Sequence, residues 1–157
     1  MNQVEMNKQA KLSAHFSLGE LTRSKSHPEV YNVPSRVHIE NLKRVCVWLE
    51  ALRERYNLLY GDGDAPIIIT SGYRSAELNR KVGGVATSNH LTGCAVDIRV
   101  AGKEQLIRYA CILLDYADET KQEFDELLLE HGANGVIWLH FAVRAQGNRR
   151  KISFLKA

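Results

Sequence analysis

The sequence predicts one α+β domain, a small antiparallel sheet packed by helices. The chain has 157 residues, which is enough for a hydrophobic core and leaves little room for a second domain. Its apolar residues follow two periods, one typical of amphipathic helices and one typical of strands. The two kinds of segment do not alternate regularly along the chain, and this irregular order favours α+β over a doubly wound sheet.

Two segments carry the three- and four-residue apolar spacing of an amphipathic helix. The first covers about residues 35–58, and Ser35 is suited to cap its N-terminus. The second covers about residues 103–117 and has one continuous apolar face. A shorter helix is expected over residues 76–82, where Ser75 can act as the cap and two glycines follow.

Three segments predict strands. Residues 67–70 are mostly β-branched, residues 95–100 alternate apolar and polar side chains, and residues 135–143 form a longer apolar run. Residues 124–130 (FDELLLE) are ambiguous, because their propensity favours a helix while their length and the glycines that follow permit a strand. For the run 152–155 near the end of the chain we predict neither a helix nor a strand.

Composition excludes several classes of protein. The polar residues 1–14 are expected to be a flexible N-terminus, with residues 15–157 as the domain. No apolar run suits a secretory signal or a membrane span, so no membrane insertion is expected. Three cysteines without CxxC spacing predict thiols in a reducing compartment. The net charge of +3 is mild, and the basic run at 148–151 is expected to be solvated, so no nucleic acid is predicted as a partner.

His90 and Asp97 occupy positions where a polar side chain needs a partner. His90 ends a polar loop, and Asp97 lies between two apolar residues of a predicted strand. A buried carboxylate is costly unless it is hydrogen-bonded, paired or bound to a metal. His140, within the apolar run 135–143, is a candidate third ligand, and such a set leaves a position open, as catalytic zinc requires. The spacing alone also permits Asp97 to be held by backbone amides and His140 to be a core residue.

Three blocks of sequence together resemble the zinc D-alanyl-D-alanine carboxypeptidases, within the wider hedgehog and D-Ala-D-Ala peptidase-like group. The blocks are Ser71-Gly72-Tyr73-Arg74-Ser75, Ser88-x-His90-xx-Gly93-x-Ala95-x-Asp97 and Trp138-x-His140. Their order and approximate spacing match over about residues 15–150. The likeness is to the small bacterial and phage enzymes that act on the cell wall.

The resemblance implies a zinc peptidase domain whose sheet carries the metal on His90, Asp97 and His140. Its substrate would be a D-Ala-D-Ala end or a cross-link in a peptidoglycan stem peptide. Arg74 would lie beside the metal and offset negative charge, while the expected substrate contacts are Ser88, Tyr73 and Trp138. From the residues alone, Arg74 can also be a surface residue of a turn and Ser88 the cap of a loop. The remaining histidines are expected to be solvated: His15, His27, His38 and His131.

The general base is the point at which the sequence departs from the family pattern. Many members carry Glu or Asp three residues before the last zinc histidine, and Ile137 stands there in this chain. Glu130 is the first candidate to replace it and Glu126 the second. If neither serves, the alternative is a catalytically weak or inactive zinc-containing module that binds cell wall. Arg74 and Ser88 favour the enzyme, which would act either on cell wall after release or on free dipeptide in the cytoplasm.

Overall fold

The structure is a computed structural model that describes residues 6–61 and 63–157. Its helices are α1 (Arg36–Leu59), α2 (Ala76–Lys81) and α3 (Lys103–Thr120), and a 3₁₀ turn covers Asn89–Thr92. Its strands are β1 (Ile69–Ser71), β2 (Ala95–Arg99), β3 (Glu126–His131), β4 (Ile137–Ala142) and β5 (Lys151–Lys156). The predicted α+β class is confirmed, and so are the two long helices, each within three residues of its predicted bounds.

Helices α1 and α2 begin where the sequence provides a cap. The Ser35 hydroxyl accepts a hydrogen bond from the backbone N–H of His38, and the His38 ring accepts one from the N–H of Ser35. The Ser75 hydroxyl caps α2 in the same way through the N–H of Leu78. Helices α1 and α3 then bury their apolar faces in the core, which holds Leu42, Val45, Trp48, Leu49, Leu52, Leu106, Tyr109 and Leu113.

The sheet has five strands in the order β1-β2-β4-β3-β5. All neighbouring strands are antiparallel except β3 and β5, which are parallel. The ambiguous segment FDELLLE supplies strand β3, because Leu127 and Leu129 bury themselves in the core and the strand pairs with both β4 and β5. Tertiary pairing therefore overrides its helix propensity. The apolar run near the C-terminus, for which no element was predicted, forms β5.

The two faces of the sheet have different roles, because side chains alternate along each strand. One face packs against α1 and α3 and supplies Val96, Ile98, Leu127, Leu129, Leu139 and Phe141 to the core. On the other face, strand register places Asp97 opposite His140 and His140 opposite Leu128. Ser71 lies on the far side of Asp97. The candidate ligands of β2 and β4 are therefore neighbours on the face that the helices do not cover.

The N-terminal segment, expected to be flexible, falls partly on residues 1–5, which lie outside the described residues. Farther on, the N–H of Leu18 donates to the carbonyl of Ala10 at 2.8 Å, and Met6 and Leu12 pack against the core. The domain boundary after residue 14 stays a prediction. Across the two described ranges, no helix combines the length and apolar character needed to cross a membrane.

We predict that Gly93→Ala destabilises the fold more than Gly83→Ala does. Both glycines have positive φ, +78° and +76°, so alanine is strained at either position. A Cβ at Gly93 would also lie 2.6 Å from the carbonyl oxygen of His38 in α1, whereas a Cβ at Gly83 meets open space. The free energy of unfolding should fall by about 1 kcal/mol for Gly83→Ala and by about 1–3 kcal/mol more for Gly93→Ala. Urea denaturation measures both values, and equal losses would contradict the close approach of the 3₁₀ turn to α1.

Candidate metal centre

Three segments of the chain bring His90, Asp97 and His140 together. The 3₁₀ turn supplies His90, and the paired strands β2 and β4 supply Asp97 and His140. One ligand atom from each residue lies within 4.8 Å of the other two. Asp97 Oδ1 is 3.0 Å from His140 Nδ1 and 3.4 Å from His90 Nε2. Two imidazole nitrogens and a carboxylate oxygen therefore converge on one point, as in a metal site.

The orientation of His90 is fixed by one hydrogen bond of its ring and two of its backbone. Its Nδ1 lies 2.7 Å from the carbonyl oxygen of Gly72. A carbonyl only accepts, so the proton is on Nδ1, and Nε2 presents its lone pair toward Asp97. The backbone N–H of His90 donates to the Ser88 hydroxyl at 3.2 Å, while its carbonyl accepts from the N–H of Arg74 at 2.9 Å. Ser88 thus caps the turn that carries His90.

His140 lies between two carboxylates. Its Nδ1 is 3.0 Å from Asp97 Oδ1, and its Nε2 is 3.0 Å from Glu126 Oε1. Burial opposes the charged form, but these hydrogen bonds outweigh it and raise the pKa of His140 to about 10. For Asp97, burial alone would raise the pKa, yet the charges and hydrogen bonds of His90 and His140 hold it well below its usual range.

The donor set fits a divalent metal of the zinc type. Asp97 is nearly buried, with 13% of its side chain exposed, and it keeps its negative charge between two imidazoles. Such a carboxylate needs positive neighbours. Arg74 supplies one, 3.4 Å from Oδ2, and either a proton on His140 or a cation at the point where the three ligands meet can supply another at Oδ1. Nitrogen and oxygen ligands of this kind are those of three-ligand zinc sites, which keep a further position open.

Arg74 borders the same cluster. Its guanidinium donates to the Ser71 hydroxyl at 3.1 Å and to Asn79 Oδ1 at 3.3 Å, and it lies 3.4 Å from Asp97 Oδ2. Only 15% of the side chain is exposed. Burial lowers the pKa of Arg74, while the negative charges of Asp97 and Glu130 oppose that effect. The structure therefore places the positive charge of Arg74, which is largely buried and fixed by hydrogen bonds, beside the three candidate ligands.

Asn32 holds the loop between β1 and α2, which carries Arg74. The sequence did not mark Asn32 as a functional residue. Asn32 accepts from the N–H of Ser75 at 2.6 Å and donates to the carbonyl of Tyr73 at 2.9 Å. A Cβ at Gly72 would lie 2.1 Å from the carbonyl oxygen of Leu21, so this loop tolerates only glycine at its closest approach. The one sequence signal for Asn32 is its position just before Pro34 and the Ser35 cap of α1.

The two predicted aromatic contacts have different surroundings. The Tyr73 ring is buried in the core and stacks on His38, with ring centroids 4.7 Å apart. Trp138 lies on the His140 face of β4, opposite Glu130 of β3. Within the described residues the buried Trp138 indole N–H makes no hydrogen bond of good geometry, but it is close enough to Glu130 to stabilise its carboxylate. Their contacts with a substrate stay predictions.

Glu130 and Glu126 lie on the same face of β3, but their surroundings differ. Glu130 is half-buried; burial and the charge of Asp97 raise its pKa, against smaller opposing effects of His140 and Trp138. For Glu126, burial also favours the neutral acid, but hydrogen bonds from His140 and Asn89 outweigh it and lower the pKa. Glu126 is thus held as an anion by its partners, whereas Glu130 more readily takes up a proton.

A buried polar network behind the cluster was not foreseen from the sequence. Asn89 Nδ2 donates to Asp125 Oδ2 at 2.8 Å and to Glu126 Oε1 at 2.6 Å, and Arg144 donates to Asn89 Oδ1 at 2.9 Å. Arg149 donates from two of its nitrogens to the carboxylate of Asp125, at 3.0 and 2.8 Å.

The basic run at 148–151 therefore has internal partners. Besides the Arg149 pair with Asp125, Arg150 lies 2.7 Å from Asp118 and 3.3 Å from Glu123. The sequence analysis named Glu126 and the run that contains Arg149, but it did not predict the contacts that join them to Asn89, Asp125 and Arg144. The rest of this network depends on contacts between distant segments, for which the sequence offered no pattern.

Comparison with protein-family models gives a match. The sequence model of the family described as Peptidase M15 matches residues 14–122. A search of curated proteins finds no match. The matched stretch contains Arg74, His90 and Asp97 but ends before β3 and β4, so it does not include His140, Glu126 or Glu130.

We predict that Asp125→Asn destabilises the protein at neutral pH and that the difference disappears in acid. Burial would raise the pKa of Asp125, but hydrogen bonds from Arg149 and Asn89 and the charge of Arg144 outweigh it and lower the pKa to about 2. Because the folded pKa lies below the unfolded value of 3.8, the stabilisation is complete above about pH 4 and is lost toward pH 2.

The expected loss at pH 7 is about 1–2 kcal/mol, discounted because the arginines that cover the buried carboxylate themselves reach solvent. Urea denaturation of wild type and variant at pH 7, 4 and 2 checks this. Asp118→Asn is the control, since 65% of that side chain is exposed and its ion pair with Arg150 should contribute little. If wild type and Asp125→Asn differed in free energy of unfolding by the same amount at all three pH values, the role of the Asp125 charge would be contradicted.

Proposed function

This chain belongs to the Peptidase M15 family, and on that premise we propose that it is a zinc-dependent peptidase acting on peptidoglycan stem peptides. The bond cleaved would be a D-Ala-D-Ala-type end or a cross-link amide. The observation that carries the proposal is the cluster of His90, Asp97 and His140, whose ligand atoms lie within 4.8 Å of one another beside Arg74.

The three clustered residues would hold the zinc ion, with two neutral imidazoles and one carboxylate as ligands. When bound, zinc supplies a Lewis acid that polarises the scissile carbonyl and makes water a better nucleophile. His90 is already oriented for this task by the carbonyl of Gly72, and Asp97 by its contacts with His90, His140 and Arg74.

Arg74 would hold negative charge on the substrate. Peptide hydrolysis develops charge on the carbonyl oxygen, and a carboxypeptidase substrate also ends in a carboxylate. A guanidinium offers several donors in one plane and suits both groups. Ser71 and Asn79 hold the side chain in place before substrate arrives, so little ordering is needed at the moment of reaction.

Glu130 is the side chain best suited to move the proton. It lies on the same face of the sheet as His140, and its raised pKa brings it closer to the range of a general base and acid. Glu126 is less suited, because one of its oxygens is already occupied by His140 and Asn89.

The departure at Ile137 has a geometric explanation. Residue 137 lies three positions before His140 on β4, and strand alternation directs its side chain to the opposite face, where Ile137 packs against the core. A carboxylate at this position would face the helices. In this sheet the proton carrier must come from another strand, and Glu130 of β3 meets that requirement.

We expect zinc-loaded wild-type protein to release D-alanine from a stem pentapeptide or to cut cross-links in purified peptidoglycan. His90→Ala should lose both zinc and turnover, because it removes a ligand. The measurements are zinc content after dialysis, amino acid release and analysis of the peptidoglycan fragments. Stoichiometric zinc without cleavage of either substrate would contradict the peptidase and support a zinc-containing module that binds cell wall.

We predict that Glu130→Gln lowers kcat by about 10²- to 10⁴-fold while zinc content is unchanged. The amide keeps the size of the side chain but cannot accept and return the proton. Glu123→Gln is the matched control, since Glu123 is an exposed residue just before β3 that pairs with Arg150. Turnover of Glu130→Gln within about threefold of wild type would assign the general base to another group.

A further inference from the structure

Glu126 has no role in the proposed reaction, although its carboxylate contacts the candidate ligand His140 directly. We infer that Glu126, held by Asn89, is a positioning residue that fixes the His140 ring so that Nδ1, and not Nε2, faces the metal. The inference rests on the proposed zinc site. It goes beyond that site in two ways. It assigns Glu126 as the group that holds His140 from the side away from the metal, and it assigns Nδ1 as the nitrogen through which His140 binds.

The hydrogen-bond directions at Asn89 follow from its neighbours. Its Oδ1 receives the Nε–H of Arg144 at 2.9 Å, so this side of the amide is the acceptor and the other is the NH₂ group. The two amide hydrogens then go to Asp125 Oδ2 and to Glu126 Oε1. Every donor and acceptor side of this buried amide is occupied. Asn89 therefore holds the Glu126 carboxylate in one orientation.

The oxygen that Asn89 holds is the one that meets His140. Glu126 Oε1 lies 3.0 Å from His140 Nε2, and an ionised carboxylate only accepts hydrogen bonds. Nδ1 of the same ring lies 3.0 Å from Asp97 Oδ1, on the side where the three ligand atoms meet. With zinc on that side, Nδ1 would give its lone pair to the metal, and the one ring proton would be on Nε2 and donated to Glu126. A ligand histidine whose second nitrogen donates to a carboxylate keeps both its tautomer and its ring orientation.

The strand register leaves space for this contact. Glu126 lies opposite Ala142, and Ala142 lies opposite Ala95, so two small side chains occupy the row beside Asp97 and His140. A larger residue at position 142 would occupy space next to the Glu126 side chain, which reaches across to Asn89 and His140. The row of small residues is thus part of the same arrangement.

The two ligand histidines are held by different means and linked by one network. The Nδ1 of His90 is held by the backbone carbonyl of Gly72, whereas the Nε2 of His140 is held by Glu126. Asn89 directly precedes His90 in the 3₁₀ turn, so its hydrogen bond to Glu126 joins the support of one ligand to the backbone of the other. We expect damage to Glu126 to weaken the metal site without removing a ligand.

The test compares Glu126→Leu and Glu126→Gln in the full chain by zinc affinity, measured through competition with a chelator. Leucine cannot accept from Nε2–H, so zinc should bind about 10- to 100-fold more weakly. Glutamine keeps an acceptor oxygen, so its affinity should stay within a few fold of wild type. Glu104→Gln serves as a surface control, because that side chain is 79% exposed on α3.

A second readout is the tautomer of His140 in zinc-loaded wild type, read from its ¹⁵N chemical shifts. We expect a protonated Nε2 and a metal-bound Nδ1, and this result does not depend on whether Glu126→Leu folds. Glu130→Gln should separate the roles further, since it should lose turnover and keep zinc affinity.

The inference would be overturned if Glu126→Leu bound zinc as tightly as wild type does. It would also be overturned if zinc bound to Nε2 of His140. Either result would leave the proposed function standing. Loss of turnover in Glu126→Gln with unchanged zinc affinity would also overturn it, because a proton-transfer role would then be indicated. Failure of the wild type to bind zinc would overturn the proposed function and this inference together.

Discussion

The site depends on a negatively charged carboxylate that is nearly buried on the open face of the sheet. Asp97 belongs to β2, whose neighbours along the chain are apolar and face the helices. Its charge is stabilised because strand pairing places His140 opposite it, the 3₁₀ turn brings His90 within 3.4 Å, and Arg74 lies 3.4 Å from its other oxygen. The carboxylate and the two imidazoles direct their ligand atoms to one point. A candidate metal site follows from the way this carboxylate is accommodated.

Keeping these groups in place requires close backbone contacts around them. Gly93 lets the 3₁₀ turn end against α1, and Gly72 lets the following loop pass Leu21 without a side chain between them. The loop and the turn are then joined, since the N–H of Arg74 donates to the carbonyl of His90 and the ring of His90 donates to the carbonyl of Gly72. These two hydrogen bonds fix the loop that carries Arg74 against the turn that carries His90.

Strand β3 gives two chemically identical side chains different properties. Glu126 and Glu130 lie four residues apart on the same face, yet hydrogen bonds lower the pKa of the first while burial raises that of the second. One glutamate suits a permanent anion that holds a ligand, and the other suits a group that exchanges protons. The ion pair of buried Asp125 with half-exposed Arg149 anchors the start of the strand to the segment before β5.

The sequence by itself determined the α+β class, the two long helices with the Ser35 cap, and His90, Asp97 and His140 as candidate ligands. These follow from local signals: apolar periodicity, capping chemistry, and a polar residue within an apolar strand. Tertiary structure decided that FDELLLE is a strand, that Ile137 faces the core, and that Asn89, Asp125 and Arg149 form a buried network. Strand register and long-range hydrogen bonds join residues that are distant in the chain. No local period encodes which of two glutamates on one strand meets His140, because that depends on where the 3₁₀ turn places Asn89.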